Sequence, residues 1–440
     1  MNLSKFFFFT LFIILFFGVP TSGHAQTNKV PNANPDRIEK RILDLSKFGK
    51  NASGGTSRVA YSDSDVLGRN YIKSLMVNAG LKVRVDQAGN IIGRREGLNP
   101  SLPIIMFGSH TDSVPDGGNY DGDVGVMTSI EVIEILNLAN ITTQHPLEVI
   151  DFTDEEGGLV GSLSLTGRLK SEALDLKSHS GFTIAEGIDR LGGDHKNLAN
   201  AKYSKDQLKA FIEVHIEQGG FLDAEGINIG VVEGIVGIHW WDVIIEGFAN
   251  HAGTTPMDKR QDAMITAAKM ILAINDVGLN TPGRQVATVG RIKAEPGAPN
   301  VIPGRVIMSL EIRDLDLSKM EIIFEDIKAR LLAIAEDTNT KVRFEKIEIA
   351  SEPAPTDIRI RKIIEASAKK LGLSYKYMPS GAGHDAQDMV HIAPTGMIFV
   401  PSRDGISHSP KEYTSPQDMA NGADVLVETI LNIDNVKGES

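Results

Sequence analysis

Histidine and carboxylate side chains recur in this sequence within short polar segments rich in glycine, and together they are the usual donors of divalent-metal sites. Gly108-Ser109-His110-Thr111-Asp112-Ser113 closes an apolar run and leads into Gly117-Gly118-Asn119-Tyr120-Asp121-Gly122. Asp151-Phe152-Thr153-Asp154-Glu155-Glu156-Gly157-Gly158 sets three adjacent acids before two glycines, and such charges repel unless a cation or proton relieves them. Glu213-Val214-His215-Ile216-Glu217-Gln218-Gly219 and Gly405-Ile406-Ser407-His408-Ser409 complete the set. Each has a plain reading alone: a satisfied polar histidine, or a solvated acidic turn. Their coincidence points to a metal site, and several carboxylates with several imidazoles suit two ions better than one. With zero cysteines, thiolate ligands, thiol nucleophiles and disulfides are excluded.

Apolar runs alternating with amphipathic stretches give an α/β pattern. Residues 102–108 read as a buried strand, 124–138 as a helix and 147–152 as another strand. Residues 211–217 alternate strictly: Phe211, Glu213, His215 and Glu217 share one face, and Ile212, Val214 and Ile216 the other. A polar face on a central strand is costly unless it lines a site. The middle of the chain reads strand 239–246, helix 261–277, strands 285–292 and 305–313, helix 317–338, strand 341–349. That β-α-β-β-α-β order is the signature of a ferredoxin-like split unit, here inserted into an outer α/β domain. The outer domain resumes with a helix over 356–371, a strand over 395–400 and a helix after Ser415.

The 440 residues suggest two or three domains. The net charge of −12 argues against sequence-independent nucleic-acid binding, which needs clustered Lys and Arg. Lys5, the apolar run Phe6 to Val19 and the small residues before Gln26 read as a signal peptide over 1–25. The run falls short of the ~20 residues a membrane helix takes. The expectation is an exported, periplasmic protein, free of the membrane after cleavage, with residues 26 to about 36 as a tether.

The segments above, with Asn250-His251-Ala252-Gly253-Thr254-Thr255-Pro256-Met257 and Ser380-Gly381-Ala382-Gly383-His384-Asp385-Ala386, resemble the metal-dependent amidohydrolases of the M20 clan. The resemblance is to the hydantoinase/carbamoylase branch: N-carbamoyl-L-amino-acid hydrolases, allantoate amidohydrolases and β-ureidopropionases. His215-Ile216-Glu217-Gln218-Gly219 separates this branch from ordinary clan peptidases, which usually carry an acid where His215 stands. The resemblance implies a discontinuous metallopeptidase-like catalytic domain over 26–236 and 352–440, with a ferredoxin-like lid and dimerisation domain over 237–351. It implies two divalent ions per subunit (Zn, or Mn or Co), with Asp121 bridging, His110 and His215 on one ion, and Glu156 and His408 on the other. Glu155 becomes the general base, and Asp112 orients His110 through its other ring nitrogen. Gln218, His251, Asn300, Arg313, Gly383 and His384 fall where the family binds the ureido group and the substrate carboxylate, with His251 reaching the partner subunit's site. The Arg313 guanidinium suits a two-point grip on a carboxylate.

These expectations describe a homodimeric enzyme acting on a small molecule. Three alternatives stay open: an allantoate amidohydrolase, an exported aminoacylase or peptidase of the same clan, and a catalytically silent binding protein that keeps the pocket. The presence of every ligand and of Glu155 speaks against the last.

Overall fold

The computed structural model describes residues 1 and 30–435. A nine-stranded mixed sheet carries most of the chain. At its centre four strands run parallel side by side: Leu147–Phe152, Ile104–His110, Leu208–Ile216 and Thr395–Val400. Lys82–Val85 and Ile91–Arg95 extend one flank. Ile229–Ile235, with Ala354–Pro355 and Tyr375–Ser380 beside it, extends the other. The register pairs His110 with Phe152 and Ile216 with Val400, so the four carboxyl ends finish at one edge. Functional groups collect at such ends in open α/β sheets, because the following loops lie together there.

Parallel strands need both faces covered, and the sequence supplies the cover. Helix Asp123–Leu138 is apolar on nearly every side; it packs on the sheet beside Pro416–Asn435, which also meets the sheet, and against Pro35–Leu45. The strand Leu208–Ile216 divides its side chains as the alternation requires. Ala210, Ile212, Val214 and Ile216 enter the core on that face, and Phe211 enters the core opposite. Burying Ile38, Ile42 and Leu45 of the first helix, all at 0% exposure, contributes about 1.5–3 kcal/mol each.

That first helix revises the expected tether. Asn34 caps it by accepting the Arg37 amide at 3.0 Å, while the amides of Ala33 and Asn34 bond to Asp424 at 2.7 Å and Glu131 at 2.8 Å. Residues 33–36 are thus anchored, because Arg37 and Arg41 neutralise the buried Glu131. The segment 2–29, with its apolar run, lies outside the described residues.

A second, antiparallel sheet draws all five strands from residues 237–351. Its order sets Lys341–Ser351 beside Gly237–Glu246, then Arg305–Asp314, which pairs with both Val286–Thr288 and Ile292–Glu295. Helices Ala263–Asn280 and Leu317–Asp337 pack on one face, where Val306, Met308, Leu310 and Ile312 are fully buried at alternate positions. Trp241 stacks on Phe324 with ring centres 4.1 Å apart. The strand expected over 285–292 is two short ones. Between them the Arg291 amide donates to the Ser309 hydroxyl at 3.0 Å, and the Ser309 amide donates back to Arg291 O at 3.0 Å. Among the described residues no helix is long and apolar enough to cross a membrane.

Candidate active site

Asp121 is the centre of the cluster at the carboxyl ends. Its Oδ1 lies 3.1 Å from His215 Nε2 and 3.7 Å from His110 Nε2, while Oδ2 lies 3.2 Å from His408 Nε2. His408 Nε2 is also 3.4 Å from Glu156 Oε2. One carboxylate thereby faces two imidazoles on one side, and an imidazole with a second carboxylate on the other. The triads His110/Asp121/His215 and Asp121/Glu156/His408 each bring their donor atoms within 4.8 Å of one another.

The rings are aimed from behind. His110 Nδ1 sits 3.0 Å from the Asp112 carbonyl oxygen, and His215 Nδ1 sits 2.9 Å from that of Ile216. Such bonds select the tautomer that leaves Nε2 as a ligand atom. Gly122, at φ +64°, carries no Cβ because one would stand 2.5 Å from the His110 ring. Asp112 behaves differently from the expectation. Its carboxylate is 3.7 Å from His110 Nδ1, and it accepts the amides of Glu155 and Glu156 at 3.2 Å each. It holds the acidic turn, while its carbonyl holds the ring. Asp154, Gln218 and His408 all adopt left-handed backbone with φ of 52–57°, strain that persists only where surrounding contacts enforce it.

Electrostatics single out the same groups. Burial alone would raise the Asp121 carboxyl, but the charge and hydrogen bond of His215 outweigh it and hold the carboxyl well below the usual range. Burial likewise lowers His215, yet Asp121 lifts it to about 9; the Asp121 hydrogen bond lifts His408 to about 9 as well. His110 is pushed down to about 4 by burial, against the pull of Asp121. Burial first, and then neighbouring carboxylates, push Glu156 to about 8 and Glu155 well above its ordinary range. The cluster thus crowds several buried carboxyls around Asp121, and that crowding favours bound protons on Glu155 and Glu156.

The pocket fits divalent ions on its own chemistry. It offers imidazole and carboxylate donors and no sulfur, the preference of Zn²⁺, Mn²⁺ and Co²⁺. Beside it, both Asp385 carboxylate oxygens, His384 Nδ1 and Gln218 Oε1 are buried without a hydrogen-bond partner.

The residues expected to bind substrate fall into two groups. Gln218 donates to Asp121 Oδ2 at 2.7 Å, and the His384 ring lies 4.4 Å from that of His215. Arg313 donates to Gly381 O at 2.7 Å, in the loop that also carries Gly383 and His384, and its other edge meets Glu311 at 2.9 and 3.2 Å. His251 and Asn300 lie elsewhere, on the second sheet's side. The His251 strand pairs with Val301, and the Ala252 amide donates to Asn300 O at 3.0 Å. Among the described residues, no hydrogen bond or ion pair joins His251 or Asn300 to the Asp121 cluster.

Several residues have partners that the sequence did not reveal. Glu412 accepts the amides of Tyr120 and Asp121 at 2.8 and 3.0 Å. Glu213, fully buried beside His215, accepts from Ser109 and the Ala386 amide; its place on the polar face was visible, but its partners were not. Arg58 is buried against Asp123 and donates to Thr111 O at 2.6 Å, fixing the loop after His110. Glu217, on the polar face, accepts the amides of Phe221 and Leu222 and so ends outside the cluster.

Residues 106–432 match the family described as peptidase family M20/M25/M40. An N-carbamoyl-L-amino acid amidohydrolase of Geobacillus stearothermophilus is 39% identical, over 90% of this chain and 98% of its own. A ureidoglycolate hydrolase of Arabidopsis thaliana is 38% identical, over 90% of this chain and 86% of its own. The crystal structure of a hydantoinase/carbamoylase family amidase from Burkholderia multivorans superposes with a TM-score of 0.85 at 34% identity, over 91% of this chain and 98% of that one. These relatives correct one expectation. Export to the periplasm was read from the first 25 residues alone, but close relatives are cytosolic enzymes, and the reading is not upheld.

Proposed function

The chain belongs to peptidase family M20/M25/M40 and is a hydrolase of non-peptide C–N bonds, and on that premise we propose a two-metal amidohydrolase that cleaves the linear carbamoyl or ureido bond of a carboxylate-bearing substrate, foremost an N-carbamoyl-L-amino acid. The observation that carries this reading is Asp121, with one oxygen toward His110 and His215 and the other toward His408. In the proposal Asp121 is shared, His110 and His215 hold one ion, and Glu156 and His408 hold the other. When bound, the ions supply the Lewis acidity that lets water lose a proton near neutral pH and that polarises a carbonyl.

The protein's own groups supply the rest. Glu155 accepts the proton of the attacking water and delivers it to the departing nitrogen. Burial, and after it the neighbouring acids, raise its affinity for a proton and suit it to that shuttle. Gln218 and His384 border the cluster and can orient the ureido group, and their unpartnered Oε1 and Nδ1 atoms are free to take its bonds. Arg313 is held in plane by Glu311 and Gly381 O and keeps further donors on its terminal nitrogens for a carboxylate. Gly383 lines the same loop.

We further propose that residues 26–236 and 352–440 form the catalytic domain and residues 237–351 a lid through which two copies pair. His251 and Asn300, set apart from their own cluster, would then complete the partner's site. The test is an activity panel on metal-reconstituted protein with N-carbamoyl-L-amino acids, ureidopropionate, allantoate, ureidoglycolate and dipeptides. Turnover of carbamoyl amino acids well above the rest is expected. Preference for allantoate or ureidoglycolate moves the assignment within the family, and cleavage of dipeptides alone overturns it.

A further inference from the structure

Glu412 is a carboxylate at 4% exposure, in the polar stretch Ser409-Pro410-Lys411-Glu412. Its two oxygens serve two different loops. Oε1 accepts the amides of Tyr120 at 2.8 Å and Asp121 at 3.0 Å; Oε2 accepts the Ser407 hydroxyl at 2.9 Å and the His408 amide at 3.2 Å. Ser407 Oγ also lies 2.9 Å from Asp121 Oδ2, closing a ring of contacts around the shared carboxylate. Gly118 leaves room for this side chain, since a Cβ there would stand 2.1 Å from Glu412 Oε1. No ion pair with Glu412 is found among the described residues, so its stabilisation comes from these donors. Asp121 and His408 are 287 positions apart in the sequence, and one side chain holds the backbone of both.

We propose that Glu412 is a positioning residue that couples the two candidate ion positions, fixing Asp121 and His408 relative to each other so that neither ion is held at full affinity without it. This rests on the two-metal reading above. The chemistry is geometric. A carboxylate offers acceptor sites on both oxygens, whereas an amide offers them on one and donors on the other. Glu412→Gln therefore keeps the shape but turns a donor toward either the His408 amide or the amides of Tyr120 and Asp121, none of which can accept. Glu412→Asp keeps the acceptors but shortens the reach. Supporting groups of this kind typically change metal affinity by about 10- to 100-fold.

The test is titration of the metal-stripped full chain with Zn²⁺ or Mn²⁺, followed by calorimetry, with the melting temperature of each stripped variant measured alongside. Glu428→Gln is the control, because Glu428 is a buried carboxylate paired with Lys370 and remote from the site. Glu412→Gln should weaken both binding events by roughly 10-fold or more while its stripped form melts no lower than the control. Glu412→Asp should fall between Glu412→Gln and the parent, and added metal should restore kcat with KM little changed. Parent-like binding of both ions to Glu412→Gln overturns the inference and leaves the two-metal reading intact. Weakening of one event only also overturns the coupling. A parent chain that binds no divalent ion overturns both.

Discussion

Asp112 accepts the Glu155 main-chain amide at 3.2 Å through Oδ1, and its other oxygen takes the Glu156 amide at the same distance. The acidic turn is thus anchored by a buried carboxylate two residues beyond the strand end at His110, and the same residue's carbonyl fixes the His110 ring. Asp112→Asn leaves an acceptor for only one of the two amides. Its kcat should fall by about 10- to 100-fold, and a parent-like kcat would show that the turn holds itself.

Glu155 and Glu156 should separate by readout. Glu155→Gln removes the proton acceptor and should lower turnover by about 100-fold or more with metal retained. Glu156→Gln should instead reduce the metal bound per chain. Equal metal content in the two variants, measured by elemental analysis, would contradict the division.

Metal removal is the broadest check. Exhaustive chelation should abolish activity, and Zn²⁺, Mn²⁺ or Co²⁺ should restore it. Full activity in protein shown to be free of metal is the contrary result.

The separation of His251 from the Asp121 cluster leads to a complementation test. His251→Ala and Glu155→Gln chains should each be inactive, and subunit exchange between them should return activity. A mixed pair would hold one site lacking both groups and one intact site. No recovery despite proven exchange would place His251 outside the partner's chemistry. Arg313→Ala should act chiefly on KM through the substrate carboxylate.

Asp424 gives a pH signature in stability. Burial first, then Glu131 and Glu428, push its carboxyl up to about 6, against the bond from the Ala33 amide. A carboxyl raised on folding contributes stability that is complete below its unfolded value, about 3.9, and is lost as pH rises through its folded value. Asp424→Asn cannot ionise and keeps an oxygen for Ala33. Its melting temperature relative to the parent should therefore rise between about pH 4 and about pH 7. An offset that stays constant across that range would contradict the assignment.

The strand Leu208–Ile216 shows what was legible in the sequence. Strict alternation announced two faces: Ile212, Val214 and Ile216 enter one core, while Glu213 and His215 share the other face with Phe211. In the middle region Arg305–Asp314 and Leu317–Asp337 were likewise readable, because both are long and periodic, whereas the short strands Val286–Thr288 and Ile292–Glu295 were merged into one. What escaped is chemistry that depends on distant backbone. Glu412 serves amides 291 and 292 residues away, and a lone acid in a polar loop carries no mark of that. The tether was misjudged for the same reason, since the groups that anchor Ala33 and Asn34 lie on helices read for their apolar stripes alone.

The position of Thr395–Val400 has a consequence for how the chain is made. It lies in the interior of the sheet, between Leu208–Ile216 and Ile229–Ile235, yet it is the last of the sheet strands to be synthesised. At about 5–20 residues per second, a ribosome takes on the order of ten seconds or more to travel from the first two strands to the third. Until then Leu208–Ile216 has an unpaired edge, and Glu213 and His215 stand on it without their buried surroundings. A nascent chain halted before residue 395 should present that edge to chaperones, and the half-built sheet, rather than any exposed loop of the finished protein, is where aggregation would begin.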